Sequence, residues 1–313
     1  MDQEIKLHAN NKSFSWNIPE GPYHYFSKED INCFNENGYV VVEDAFSPSE
    51  VAEVIDQIDP YEFNVTEALK GLEGGKFFIS RAEEITFTTH LVTQSKQLKE
   101  FSRHEVFLDV CRDLIGPDVR LYWDQAVYKK PGTKDEFPWH QDNGYTFIEP
   151  QAYLTCWVAL TDTDETNGCP WVMPGLHQKG TLFHEPTDLG HQIPLDSSKS
   201  ICLPLKAGSI AIFSSLTPHR TGPNLSDGIR KSYILQYAPE PLPMPLQPMV
   251  AEPALQKVNK LAEGGHDGAK DLATYWVGQG VGLMNQSISA SDVVQEFKED
   301  FAEAYERLTG FVS

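Results

Sequence analysis

The sequence predicts a mainly β fold with flanking α-helices: a double-stranded β-helix (a jelly-roll, cupin-like core) with N-terminal helices packed on one sheet. Three observations carry this expectation. Capping signals and helical periodicity are concentrated before residue 116 and near the C-terminus. Between Val119 and Tyr237, short apolar runs alternate with turn residues. The residues best suited to hold a metal fall at the ends of those runs, where a jelly roll can gather them. A chain of 313 residues can bury one large core, or one core with an appendage.

Residues 1–25 read as an irregular arm ending in Gly21-Pro22. Ser27-Lys28-Glu29-Asp30 opens a helix with an N-cap serine and early acids, and Gly38 closes it before a short strand, Tyr39-Val40-Val41-Val42. Ser47-Pro48-Ser49-Glu50 starts a second helix through about Ile58, with proline in its first turn. Residues 61–90, with Gly71, Gly74 and Gly75, read as loop-rich, and Lys76 to Arg81 as a cover for the site or an edge strand. A helix over 96–115 ends at Gly116-Pro117. Strands are expected at 119–129, 153–160, 170–173, 201–205, 209–214 and 229–237. The polar segment 184–200 is a candidate lid. After Pro239, the prolines 241, 243, 245 and 248 mark a linker, followed by helices near 253–263 and 291–309. The expected organisation is one domain over 1–240 and a Pro-rich linker with a helical extension over 241–313.

Composition excludes several classes. With 25 basic against 45 acidic residues the net charge is −20, and no basic stripe offsets it, so nucleic acid would be repelled. No apolar run has the length of a membrane span, and the charged start Met1-Asp2-Gln3-Glu4-Ile5-Lys6 lacks a signal-peptide core. Five cysteines (33, 111, 156, 169, 202) contain no C-x-x-C pair, which suits neither a disulfide framework nor a zinc site. They fit a reducing interior, and the cytoplasm is the expected compartment.

His140-Gln141-Asp142, answered by His219 with Arg230 eleven residues further on, points to the chemistry. On an extended chain residues i and i+2 share a face, so His140 and Asp142 can bind one ion while Gln141 points away. Two imidazoles and a carboxylate form the facial triad of non-haem Fe(II), which leaves positions open for substrate and oxygen. His219 follows the apolar run Gly208 to Phe213, and Arg230 opens the next strand after the turn Asn224 to Gly228. His219 and Arg230 are therefore expected at neighbouring positions on adjacent antiparallel strands. A guanidinium there would clamp a carboxylate as a planar fork. The set as a whole indicates an Fe(II)/2-oxoglutarate oxygenase using O2. His177 reads as a locally hydrogen-bonded residue, since a triad must leave sites vacant. Asn143, Tyr145, His184 and His191 are candidate substrate contacts.

These blocks resemble a known family. Pro138-Trp139-His140-Gln141-Asp142 is similar to the iron-binding motif of the phytanoyl-CoA dioxygenase family. Asn167 to His177 resembles its N-G-x-L-x-x-x-P-G-S-H segment, with Leu176 in place of serine, and His219-Arg220-Thr221 with Arg230 resembles its distal H-x-S-x(8)-R block. The resemblance runs from about Phe26 to Tyr237. It implies iron on His140, Asp142 and His219, with Arg230 and Thr221 holding the far carboxylate of 2-oxoglutarate. Trp157 and Tyr128 would line that co-substrate's pocket. It also implies hydroxylation of a C–H bond with release of succinate and carbon dioxide. In related halogenases a small residue replaces the carboxylate, so Asp142 favours hydroxylation, or desaturation and ring chemistry. A cupin-like metal enzyme or metal-binding module that does not use 2-oxoglutarate is the alternative, and Arg230 opposes it. The substrate is expected to be a free small molecule, neutral or cationic. A CoA thioester would need clustered basic residues, for which Lys76, Arg81 and Arg103 are the available candidates.

Overall fold

The computed structural model describes residues 5–239, apart from Phe78, Thr146 and Leu189, together with Lys260. The chain divides into two compact units, Met1–Glu240 and Pro241–Ser313. The linker expected after Pro239 and the helices expected near 253–263 and 291–309 lie outside the described residues, Lys260 excepted.

Helix α1 (Lys28–Asn37) starts at Ser27, which forms a reciprocal capping box with Asp30, and stops at Gly38, whose φ of 82° ends it in the left-handed region. Strand β1 (Tyr39–Val42) follows, and α2 (Pro48–Lys70) begins at a second capping box between Ser47 and Glu50. Three short strands come next: β2 (Lys76–Phe77), β3 (Ser80–Arg81) and β4 (Ile85–Thr89). Helices α3 (Lys96–Phe101) and α4 (Glu105–Leu114) complete the N-terminal part. Strands β5 (Val119–Lys129), β6 (Phe137–His140), β7 (Leu154–Ala159) and β8 (Pro170–Val172) lead to a hairpin of β9 (Glu185–Thr187) and β10 (Gly190–Gln192). The last strands are β11 (Ile201–Cys202), β12 (Ile210–Ser214), β13 (His219–Thr221) and β14 (Arg230–Pro239).

All strand pairs are antiparallel. An eight-stranded sheet runs β1-β12-β7-β14-β5-β4-β3-β2, and a four-stranded sheet runs β11-β8-β13-β6. Alternation on the large sheet separates two interiors. Leu154, Cys156, Val158, Tyr233, Leu235 and Tyr237 project to one face and join a single apolar cluster with Ile31, Val54, Ile58, Leu98 and Phe107 of the helices. Trp157, Ala159, Ala211 and Phe213 project to the other face, where they pack with Val172 of the small sheet. The N-terminal arm is tied down by buried Asp113, whose carboxylate accepts from the backbone N–H groups of His24, Tyr25 and Phe26 at 2.8–3.0 Å.

Three readings of the sequence are corrected here. Helix α2 runs past Pro60 to Lys70 rather than ending near Ile58. Its later inward positions include Glu62 and Thr66, so an apolar stripe does not trace it: Glu62 accepts from Thr66, Thr86 and Lys130. The segment read as loop contains β4, which pairs with β5 from Ile85↔Lys129 to Thr89↔Gln125. The helix expected over 96–115 is broken at Ser102–His104, where His104 Nδ1 accepts from Val106 N and caps α4. Cysteines far apart in sequence also meet, since Cys169 just before β8 and Cys202 of β11 have their sulfurs 3.1 Å apart, both as free thiols.

Candidate metal centre

Strands β6 and β13 pair so that His219 lies directly opposite His140, with ring centroids 4.1 Å apart. Asp142 follows β6 by two residues, in the first turn of a short 3-10 segment. Its Oδ1 is 3.9 Å from His140 Nε2 and 3.8 Å from His219 Nε2. One ligand atom from each residue lies within 4.8 Å of the others, and among the described residues this is the group suited to hold a metal ion.

The local chain fixes which atoms are offered. His140 Nδ1 donates to Pro138 O at 2.8 Å, and His219 Nδ1 donates to Thr217 O at 3.0 Å. Both imidazoles are thereby turned with Nε2 toward the shared space, the outer hydrogen bond setting the tautomer. Burial disfavours their charged forms: His140 is lowered to about 3 and His219 to about 4, so both are neutral ligands at physiological pH. Burial pushes the Asp142 carboxyl up, and the His140 ring with the Thr155 hydroxyl opposes that shift. Thr155 Oγ1 of β7 donates to Asp142 Oδ2, and Gln236 Nε2 of β14 backs it at 3.4 Å.

Gln141 points away, as the two-residue period requires. Its amide donates to Gly180 O and Leu216 O, and its Oε1 accepts from Leu182 N at 2.6 Å. The turn that follows admits only glycine at 144, because an added Cβ would lie 2.0 Å from the His184 ring. That ring is pinned at both nitrogens, Nε2 accepting from Gln141 N at 2.9 Å and Nδ1 donating to Leu182 O at 2.9 Å. His184 thus braces the loop after β6 and is not among the residues lining the adjoining cavity. Asn143 is likewise structural, donating to Thr181 Oγ1 at 2.7 Å and accepting from Ile148 N. Tyr145 and His191 do line the adjoining cavity.

Arg230 does not neighbour His219 on an adjacent strand. The turn at 224–228 carries the chain from the small sheet to the large one, so Arg230 opens β14 and is paired with Lys129 of β5. The two residues approach from opposite sheets into the same interior. Arg230 is 1% exposed; Nη1 donates to Ser232 Oγ at 2.6 Å and Val127 O at 3.2 Å, while Nε and Nη2 have no partner. The Trp157 ring lies 5.4 Å from its guanidinium carbon. Burial lowers Arg230 to about 10, which leaves it charged. A buried cation with two orphaned donors is suited to receive an anion.

Lys129 was not legible as part of this site. It is fully buried, and Nζ donates to Thr221 Oγ1 at 3.3 Å and to Gly222 O. Burial and the Arg230 charge both push its pKa well down. Tyr128, expected in the co-substrate pocket, projects from the opposite face of β5. Its hydroxyl donates to Asp59 of α2 at 2.7 Å, and it packs in the helix-side cluster. The period of two explains the exchange: Lys129 and Val127 take the interior face that Tyr128 cannot.

His177 stands apart from the metal group. It is buried against Trp16, its Nε2 donating to Asn35 O at 3.1 Å. His177→Ala is expected to retain iron at the wild-type level, measured as bound metal per chain, with any loss appearing in thermal stability.

The donor set, the unpartnered guanidinium and the jelly-roll scaffold agree with what comparison finds. Residues 34–232 match the phytanoyl-CoA dioxygenase (PhyH) family. The chain belongs to that family. Phytanoyl-CoA dioxygenase domain-containing protein 1 of Danio rerio is 25% identical over 254 residues, covering 66% of this chain and 87% of its own. Ectoine dioxygenase of Bordetella bronchiseptica is 26% identical over 239 residues, covering 67% and 75%. Among solved structures, EctD from S. alaskensis with 2-oxoglutarate and 5-hydroxyectoine aligns with a TM-score of 0.55 at 23% identity, covering 75% and 82%. EvdO2 from Micromonospora carbonacea var. aurantiaca with 2-oxoglutarate aligns at 0.51 and 23%, covering 71% and 96%. The PhyH-family chain is thus a 2-oxoglutarate-dependent non-haem iron dioxygenase with the fold of those enzymes, dependent on Fe(II), 2-oxoglutarate and O2. Among the described residues, no helix is long and apolar enough to cross a membrane.

Proposed function

We propose that this dioxygenase hydroxylates a C–H bond of a free small molecule, releasing succinate and carbon dioxide, with His140, Asp142 and His219 as the iron ligands. The observation that carries the reading is the pairing of that triad with Arg230, a buried guanidinium whose Nε and Nη2 have no partner. Ferrous iron with 2-oxoglutarate would supply the oxidising power that no side chain has. The protein's own contribution is positional. Arg230 presents a planar fork to the far carboxylate, Trp157 shields it, and Thr221 and Lys129 close the same corner. Thr155 holds the Asp142 carboxylate in register. A full carboxylate ligand leaves no room in the protein's donor set for a halide, which favours hydroxylation. A reducing compartment such as the cytoplasm suits ferrous iron and the free thiols.

Lys129 deepens this reading. Its charge is opposed by burial and by Arg230, so a dicarboxylate would relieve both. Nζ already donates to Thr221 O, Thr221 Oγ1 and Gly222 O, so Lys129 would act through its charge beside Arg230, and Lys129→Met is expected to weaken 2-oxoglutarate binding by about tenfold. Iron content should be unchanged. Equal 2-oxoglutarate affinity in wild type and variant, measured by anaerobic titration, would remove Lys129 from the site.

The reaction assignment is tested by anaerobic loading with Fe(II) and 2-oxoglutarate, followed by oxygen and a metabolite extract. Succinate release accompanied by a product heavier by one oxygen atom is expected. Turnover that is indifferent to 2-oxoglutarate would favour the cupin-like alternative.

A further inference from the structure

Beside the metal group lies a cavity of about 780 Å³, with His140 and Asp142 at its inner end. Arg230, Lys129 and Trp157 are not among its lining residues, so it is distinct from the corner suited to 2-oxoglutarate. Its walls come from the end of α2 and the turn after it (Leu69, Leu72), from β4 and β5 (Phe87, Trp123), and from Tyr145 and Tyr153 beyond β6. At its mouth Phe77 is 70% exposed and Leu72 is 46% exposed. Among the described residues no lysine, arginine or glutamate lines it, and its one carboxylate is Asp142.

The nearby basic residues are engaged or elsewhere. Arg81 is bound to Glu84 and Asp135. Lys76 and Arg103 do not line the cavity. The polar groups that remain are the side chains of Ser80, Thr89, Gln125, Gln236 and His191, with the hydroxyls of Tyr122, Tyr145 and Tyr153 and the indole N–H of Trp123. Ser80 is already committed, accepting from Phe87 N at 3.2 Å.

From this we infer that the substrate of the proposed oxygenase is an uncharged, predominantly apolar molecule of drug size, held by aromatic walls and oriented by one or two amide contacts. The inference rests on the oxygenase reading for the word substrate, and on the cavity alone for its chemistry. Cavities of 300–1,000 Å³ suit drug-sized ligands. An anionic ligand would give up hydration with no partner to replace it, and a cation would find aromatic faces but no counter-ion, because the single carboxylate belongs to the metal group. Of the two classes compatible with the net charge of the chain, the cationic one lacks a counter-ion inside the cavity. A CoA thioester seated here would find no basic cluster on the lining for its phosphates.

Two probes with the same ring system separate the possibilities: neutral N-phenyl-1-naphthylamine and its sulfonate, anilinonaphthalene sulfonate. A third, phenyltrimethylammonium, is used as a competitor. Fluorescence titration of the full-length protein without iron or 2-oxoglutarate should show the neutral probe binding about tenfold or more tighter than the sulfonate. The ammonium ion should compete weakly. Leu72→Lys, at the exposed mouth where a charge does not threaten folding, should weaken the neutral probe and narrow its advantage over the sulfonate. Leu225→Lys, at a 63% exposed position in the turn before β14, should change neither. Equal or tighter binding of the sulfonate or the ammonium ion by the wild type would overturn the inference. So would identical behaviour of Leu72→Lys and Leu225→Lys, which would place the probe outside the cavity. Because the titration needs neither iron nor co-substrate, failure of the oxygenase reading shows up in metal and 2-oxoglutarate binding and leaves this result standing.

Discussion

Replacing any one of His140, Asp142 or His219 with alanine is expected to abolish succinate formation and to strip the protein of stably bound iron, while the fold survives. The three ligand atoms lie within 4.8 Å of one another, and no fourth histidine, cysteine or carboxylate joins that group among the described residues. Removing one therefore leaves two donors for a metal that is held by three. The fold is spared because the apolar cores are built from other residues, on both faces of the large sheet. A graded companion is Thr155→Val, which removes the hydrogen bond that orients Asp142. Outer partners of metal ligands typically contribute about 10–100-fold in affinity or activity, so a partial loss in that range is expected. Bound iron per chain and succinate yield measure both. A His219→Ala protein with wild-type iron and wild-type succinate would dismiss the triad.

Arg230→Ala should raise the concentration of 2-oxoglutarate needed for half-saturation by about 30-fold or more, since leaving a buried charge unpaired costs about 2–5 kcal/mol. Iron binding should change little, because Arg230 stands on the large sheet and the histidines on the small one. Arg230→Lys should fall between the two, retaining charge without the planar fork. The variants also separate this residue from Arg220, which lies one position beyond His219 in sequence. Arg220 pairs with Glu136 and stacks between Trp139 and Trp171, away from the interior. Arg220→Ala should therefore leave 2-oxoglutarate dependence intact. Unaltered half-saturation in Arg230→Ala would remove Arg230 from the 2-oxoglutarate site.

The parts of the molecule visible in the sequence are those governed by short-range rules. Capping boxes at Ser27 and Ser47 announce two helices, and the i, i+2 spacing of His140 and Asp142 puts both on one face with Gln141 buried on the other. What depends on which strands become neighbours was less accessible. The turn before Arg230 reads the same whether it joins strands of one sheet or carries the chain to the other, and only the assembled sandwich decides. Tyr128 and Lys129 are adjacent in sequence, and a shift of one residue exchanges which of them faces the metal. An unremarkable lysine in a β run gives no sign of being buried next to an arginine. Helix α2 continues past Pro60, and its buried Glu62 is satisfied by Thr86 of β4 and by Lys130 just after β5, partners that its own segment of sequence does not announce. The meeting of Cys169 and Cys202 has the same origin.

The most direct test is an anaerobic titration of the iron-free protein with Fe(II) and 2-oxoglutarate, followed by visible absorption. Chelation of ferrous iron by the keto acid gives a charge-transfer band that neither component shows alone. The wild type should develop the band at one iron and one 2-oxoglutarate per chain. His177→Ala should do the same, His140→Ala should not, and Arg230→Ala should do so only at much higher 2-oxoglutarate. A wild-type protein that binds iron but never develops the band, or develops it equally well without Arg230, would contradict the account.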